Sequence, residues 1–90
     1  MAGAVTVIGA ATTIVLPKDP GRSMVILSNA SNENISLNFG ADAVLNSGVV
    51  LKPLGPPLIL DSNGPLSALV NQPINAICAS GTKNLAHYSR

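Results

Sequence analysis

Between Arg22 and Gly40 the chain carries its clearest alternation of hydrophobic and polar positions. Ile35, Leu37 and Phe39 alternate with Asn34, Ser36 and Asn38, the period-two pattern of a strand with one buried and one wet face. Just before it, Met24 and Ile26 point one way and Val25 and Leu27 the other. One core cannot hide both apolar rows, so the second calls for a cover. Between the two strands lies Asn29-Ala30-Ser31-Asn32, rich in the residues that turn the chain by bonding their own backbone. The stretch predicts two strands joined as a hairpin.

The same reading extends in both directions. Ala2 to Leu16 is apolar and rich in β-branched residues (Val5, Val7, Thr12, Thr13, Ile14, Val15), which suits a pleated surface better than a helix. Gly9-Ala10-Ala11 divides it into two strand pieces. The run lacks a basic leading region and falls short of the ~20 residues that cross a bilayer, so neither a signal sequence nor a membrane span is expected. Pro17-Lys18-Asp19-Pro20-Gly21 then turns the chain. Beyond the central pair, Asn46-Ser47-Gly48 turns into Val49-Val50-Leu51, and Pro53, Gly55, Pro56 and Pro57 allow only an edge strand or an extended loop before Leu58-Ile59-Leu60. Asp61 to Pro65 is a further turn, and Leu66 to Val70, Ile74 to Cys78 and Leu85 to Ser89 follow as apolar segments. Ser80 to Asn84 reads as a hairpin loop between the last two. No capped 3.6-residue stripe occurs. The sum is about seven or eight short strands with turns at nearly every gap, which predicts a single all-β domain over residues 1–90: a small antiparallel β-sandwich or barrel, jelly-roll-like.

Composition adds an imbalance. Charged residues make up 10% of the chain and apolar residues 47%, where soluble domains carry about 25% charged residues. Such a monomer is poorly protected against association, and the expectation is burial by other chains. The candidate subunit contacts are Val5, Val7, Ile14, Val15, Val25 and Leu27, and residues 1–21 are expected to pack on a neighbouring subunit. The charges, net +1, are scattered singly, without the basic stripe that nucleic acid requires. Phe39 and Tyr88 are the only aromatic residues, too few for a base-stacking platform. No nucleic-acid or membrane partner is expected.

Chemistry is sparse. The one histidine, His87, has no nucleophile elbow to serve. Cys78 has no second cysteine for a disulfide, and with His87 it makes only half a zinc site. Asp19, Glu33, Asp42 and Asp61 lie in or beside turns, where turn chemistry accounts for them. Ala79 to Lys83 lacks phosphate-loop spacing. The expectation is no enzyme, no cofactor and no metal. Asn29-Ala30-Ser31 and Asn34-Ile35-Ser36 match the glycosylation sequon, read as coincidence in an Asn-rich chain.

The order of landmarks is Arg22 to Asn29, then Ile35 to Gly40, then Gly48 to Pro53, then Ile74 to Thr82. In that order the chain resembles the small all-β decoration, or cement, proteins of tailed bacteriophage capsids. The resemblance covers roughly residues 22 to 88. It implies a structural virion protein, assembled in the host cytoplasm and bound as a homotrimer to the major capsid protein at junctions between capsomers, with the six contact residues above and residues 1–21 placed against the capsid or a neighbouring subunit. Few aromatic residues and the absence of an extra arm domain set this chain apart from bulkier members. The competing expectation is a head-fibre or tail-tip module that binds a host receptor or glycan, since β-sandwiches display such sites on loops.

Overall fold

Every segment of strand-like patterning outside 66–70 forms a strand. The computed structural model describes residues 2–63 and 67–90. Eight strands follow one another: β1 (Ala2–Ile8), β2 (Thr13–Leu16), β3 (Met24–Asn29), β4 (Ile35–Phe39), β5 (Val49–Leu51), β6 (Leu58–Asp61), β7 (Ile74–Cys78) and β8 (Lys83–Ser89). They form two four-stranded sheets, the first in the order β1-β8-β3-β6 and the second in the order β2-β7-β4-β5. Each strand pair is antiparallel. Eight strands in this order over one core are a jelly roll, the double-sheet Greek-key sandwich.

The core is the set of inward rows of both sheets. Ile8, Val25, Leu27, Leu60 and Leu85 from the first sheet meet Ile35, Leu37, Ile74, Ala76 and Cys78 from the second, all essentially inaccessible. The folded surface is 4797 Å², close to the roughly 4,900 Å² expected of a compact domain of this mass. Compaction is therefore complete within one chain. What is unusual is the chemistry left outside.

Two expectations are corrected. Asn29 to Asn32 and Ser80 to Asn84 are not hairpin loops: β3 and β4 lie in different sheets, as do β7 and β8. Each turn carries the chain across the sandwich, and β4–β5 is the connection that stays within one sheet. The two N-terminal strands belong to the domain's own sheets, since β1 pairs with β8 and β2 with β7. Of the segment Leu66 to Val70, Leu66 lies outside the described residues, while Ser67–Leu69 forms a 3₁₀ turn rather than a strand.

Buried polar side chains hold the two ends. At one end the Arg22 guanidinium, 5% exposed, donates from Nη2 to Pro17 O at 2.6 Å and from Nη1 to Val70 O at 3.0 Å and Gln72 O at 3.4 Å. Asn71 Nδ2 donates to Asp19 O and Arg22 O, so the β2–β3 and β6–β7 loops are laced together. At the other end Asn29 donates from Nδ2 to Glu33 O and Leu51 O, both at 2.7 Å, and accepts from Ser31. That one amide closes the β3–β4 turn and ties β3 to β5 across the sandwich.

Candidate interaction surface

Because strand side chains alternate, the inward set of the first sheet leaves a defined outward set. Gly3 stands opposite Tyr88, Tyr88 opposite Ile26, and Ile26 opposite Ile59. In the adjacent row Val5 stands opposite Ala86 and Ala86 opposite Ser28, with Val7 opposite Asn84 beyond it. Val5 is 58% exposed, Val7 56% and Ile59 57%, while Met24, Ile26, Ala86 and Tyr88 are half-buried among their own neighbours. Charge appears only at the margin, in Asp61 opposite Met24 and in Arg90. An apolar row thus spans all four strands of this sheet.

The second sheet is finished differently. Its outward rows are Ile14, Asn75 and Asn38, then Ile77, Ser36 and Val50. Across them lies the β4–β5 loop. Asn75 Nδ2 donates to Ala41 O at 2.5 Å, Asn38 Nδ2 to Asp42 O at 3.0 Å, Asn46 N to Ser36 Oγ at 2.9 Å, and Ala43 N to Thr12 Oγ1 at 2.9 Å. Ser36, Asn75 and Ala43 are buried as a result. The loop can close this tightly because Gly48 has φ +74°, and a Cβ there would run into the Leu37 carbonyl oxygen. The loop thus covers the middle of the second sheet, while no loop among the described residues covers the outward face of the first.

The six expected contact residues separate on this frame. Val25 and Leu27 are inaccessible and Val15 is 8% exposed, all three in the domain's own core, so they do not line a surface. The uncovered row of β3 is Met24 and Ile26. Val5 and Val7 lie on the bare sheet. Ile14, 66% exposed, stands on the opposite side of the sandwich, near the exposed Val44 and Leu45 of the loop that Thr12 anchors. The structure brings together Val5, Val7, Ile26, Ile59 and Tyr88, and keeps Ile14 apart from them. Ile59 went unnoticed in the sequence because the proline-rich stretch before it hid the strand's parity.

The residues with chemical potential are engaged structurally. His87 Nε2 and Thr6 Oγ1 lie 2.8 Å apart on the inward side of the first sheet, and burial holds the imidazole below its ordinary range. Cys78 Sγ faces the carbonyl oxygens of Ser80, Ile8 and Gly9, and burial pushes the thiol up. The Glu33 carboxylate accepts from the Ser80 hydroxyl at 2.7 Å and the Ser80 N–H at 2.8 Å. These bonds, the hydroxyl first, hold it below the usual carboxylate range, with Lys83 nearby adding to the effect. Among the described residues no three of His, Cys, Asp and Glu gather into a metal-binding group, and no helix is long and apolar enough to cross a membrane. Asn29, in one of the two sequons, is 2% exposed with its amide fully bonded.

Fold and surface together define a small jelly-roll domain whose first sheet presents an apolar outward face. No family model, curated protein or solved structure matches the chain.

Proposed function

We propose that this protein is a structural component of a bacteriophage virion. It binds the outer surface of the assembled capsid and stabilises it, as a homotrimer seated on the major capsid protein at junctions between capsomers. The observation that carries the reading is the apolar outward face of the first sheet, which no loop among the described residues covers, in a chain whose own loop is bonded over Ser36, Asn38 and Asn75 of the other sheet. Copies gathered around a three-fold axis would bury that face symmetrically. The separate apolar group of Ile14, Val44 and Leu45 would remain for the shell. A ligand that binds the assembled lattice and not its free subunits shifts the equilibrium toward the lattice by mass action, so stabilisation needs no catalytic group. The landmark order described above supports the same role, and jelly rolls serve widely in virions.

The test is binding to assembled shells and to dissociated capsid protein of the particle that carries this chain. Retention on assembled shells alone, copies at every capsomer junction by electron microscopy, and a raised temperature of shell disruption are the expected results. Equal binding to free subunits would remove the cement role. Copies confined to a vertex or the tail tip would make the chain an adsorption module instead.

A further inference from the structure

Sandwiches protect the strands at their margins, because an unpaired row of N–H and C=O groups is a template for another strand. Three of the four margins here are protected. β2 is short, carries a register shift between Ile14 and Leu16, and runs into Pro17. β5 has 3 residues and ends at Lys52-Pro53. β6 follows Pro56-Pro57 and ends in Asp61. β1 has none of these devices: it spans 7 residues with no charge, no proline and no register shift.

The hydrogen-bond pattern fixes which β1 groups are free. Asn84 O accepts from Ala30 N, while Arg90 O accepts from Met24 N and Arg90 N donates to Met24 O. Backbone groups alternate sides along a strand, so the even-numbered residues of β8 face β3 and the odd-numbered ones face β1. The partners of those odd residues are Ala2, Ala4, Thr6 and Ile8. Gly3, Val5 and Val7 therefore turn their N–H and C=O groups outward, where none of the described residues pairs with them.

We infer that β1 is a pairing edge for β1 of a second copy, in antiparallel register about a two-fold axis through Val5. In that register Val5 faces Val5 of the second copy and Gly3 faces its Val7, so each outward N–H and C=O of these residues has a partner. Parity is kept as well, since outward side chains continue the outward face and inward ones the inward face. A strand laid against itself sets like beside like, which penalises any charge, and β1 carries none. The result is one continuous sheet built from the first sheets of two copies. This goes beyond the capsid reading and does not depend on it: on a shell the edge would join neighbouring trimers.

Hydrogen exchange of individual amides in the intact protein, followed over protein concentration, tests the pairing. With nine copies in ten paired, exchange at Gly3, Val5 and Val7 slows about tenfold, because a paired amide exchanges from its open fraction, while Ala4 and Thr6 are unchanged. Val5→Pro removes one outward N–H and none that β8 uses, a position where an edge strand accepts proline, and it abolishes the concentration dependence. Val5→Thr keeps the backbone and retains it. Exchange at Gly3, Val5 and Val7 that ignores concentration overturns the inference, as does slowing that needs added capsid shells, which would give the edge to a shell strand. The wild-type measurement stands even if Val5→Pro fails to fold. A two-chain mass with this protection keeps the edge pairing and removes the three-fold reading. A three-chain mass without it does the reverse.

Discussion

The Ser36 hydroxyl accepts a hydrogen bond from the Asn46 N–H across 2.9 Å, and through it the β4–β5 loop is held over the outward face of its own sheet. Ser36 lies on the polar side of its strand, yet it is fully buried. The domain thus carries its own lid on one face, and the other sheet has no counterpart among the described residues.

Removing that acceptor should loosen the lid. Ser36→Ala removes the acceptor of the Asn46 N–H, a loss of about 0.5–1.5 kcal/mol for a part-buried hydrogen bond. Urea unfolding is expected to show a lowered midpoint, with faster amide exchange at Asn46. Assembly through the other face should persist.

Arg22 holds Pro17, Val70 and Gln72 through backbone carbonyls, and no carboxylate is among its partners. Arg22→Ala strands those oxygens and is expected to cost about 2–4 kcal/mol. Arg22→Lys should recover less than half of that in thermal unfolding, because a single ammonium cannot span the fork that a guanidinium does.

Ile59 and Ile26 stand opposite each other on the bare face. Ile59→Lys places charge on a side chain that is 57% exposed in the single chain, so the fold should lose no more than about 0.5 kcal/mol. Sedimentation should show the assembly weakened or abolished, since a buried unpaired ammonium is costly. An unchanged assembly would clear this face of the role given to it.

Glu33 couples the β3–β4 turn to the β7–β8 turn through Ser80. Its carboxyl sits below the ordinary range, so the folded state favours the ionised form. The resulting stabilisation is present above the unfolded-state value and is lost as the pH falls through the folded-state value. Thermal melts from neutral pH downward should show wild type losing more stability than Glu33→Gln, with the two converging in acid.

The sequence disclosed the strands more readily than their partners. In β4 the alternation of Ile35, Leu37 and Phe39 with polar neighbours marked the inward row correctly, but polarity at Ser36 and Asn38 did not reveal that a loop would cover them. In β3 all four of Met24, Val25, Ile26 and Leu27 are apolar, so periodicity had nothing to choose between. The inward row became Val25 and Leu27 because their partners there are Leu60, Leu58 and His87. Asn29 to Asn32 and Ser80 to Thr82 have the residues that reverse a chain, but such residues specify a turn and not the sheet it leads to. Arg22, a lone cation between a Pro-Gly turn and an apolar strand, was visible in the sequence, whereas the distant carbonyls it holds were not.

In the proposed assembly, copies of the same chain close the open face of the first sheet. Light scattering of the purified protein at micromolar concentration measures this most directly. The expected mass is that of three chains of 9.1 kDa, or a multiple of three where the β1 edges also pair. A mass near that of the single chain, unchanged as concentration rises, would contradict it.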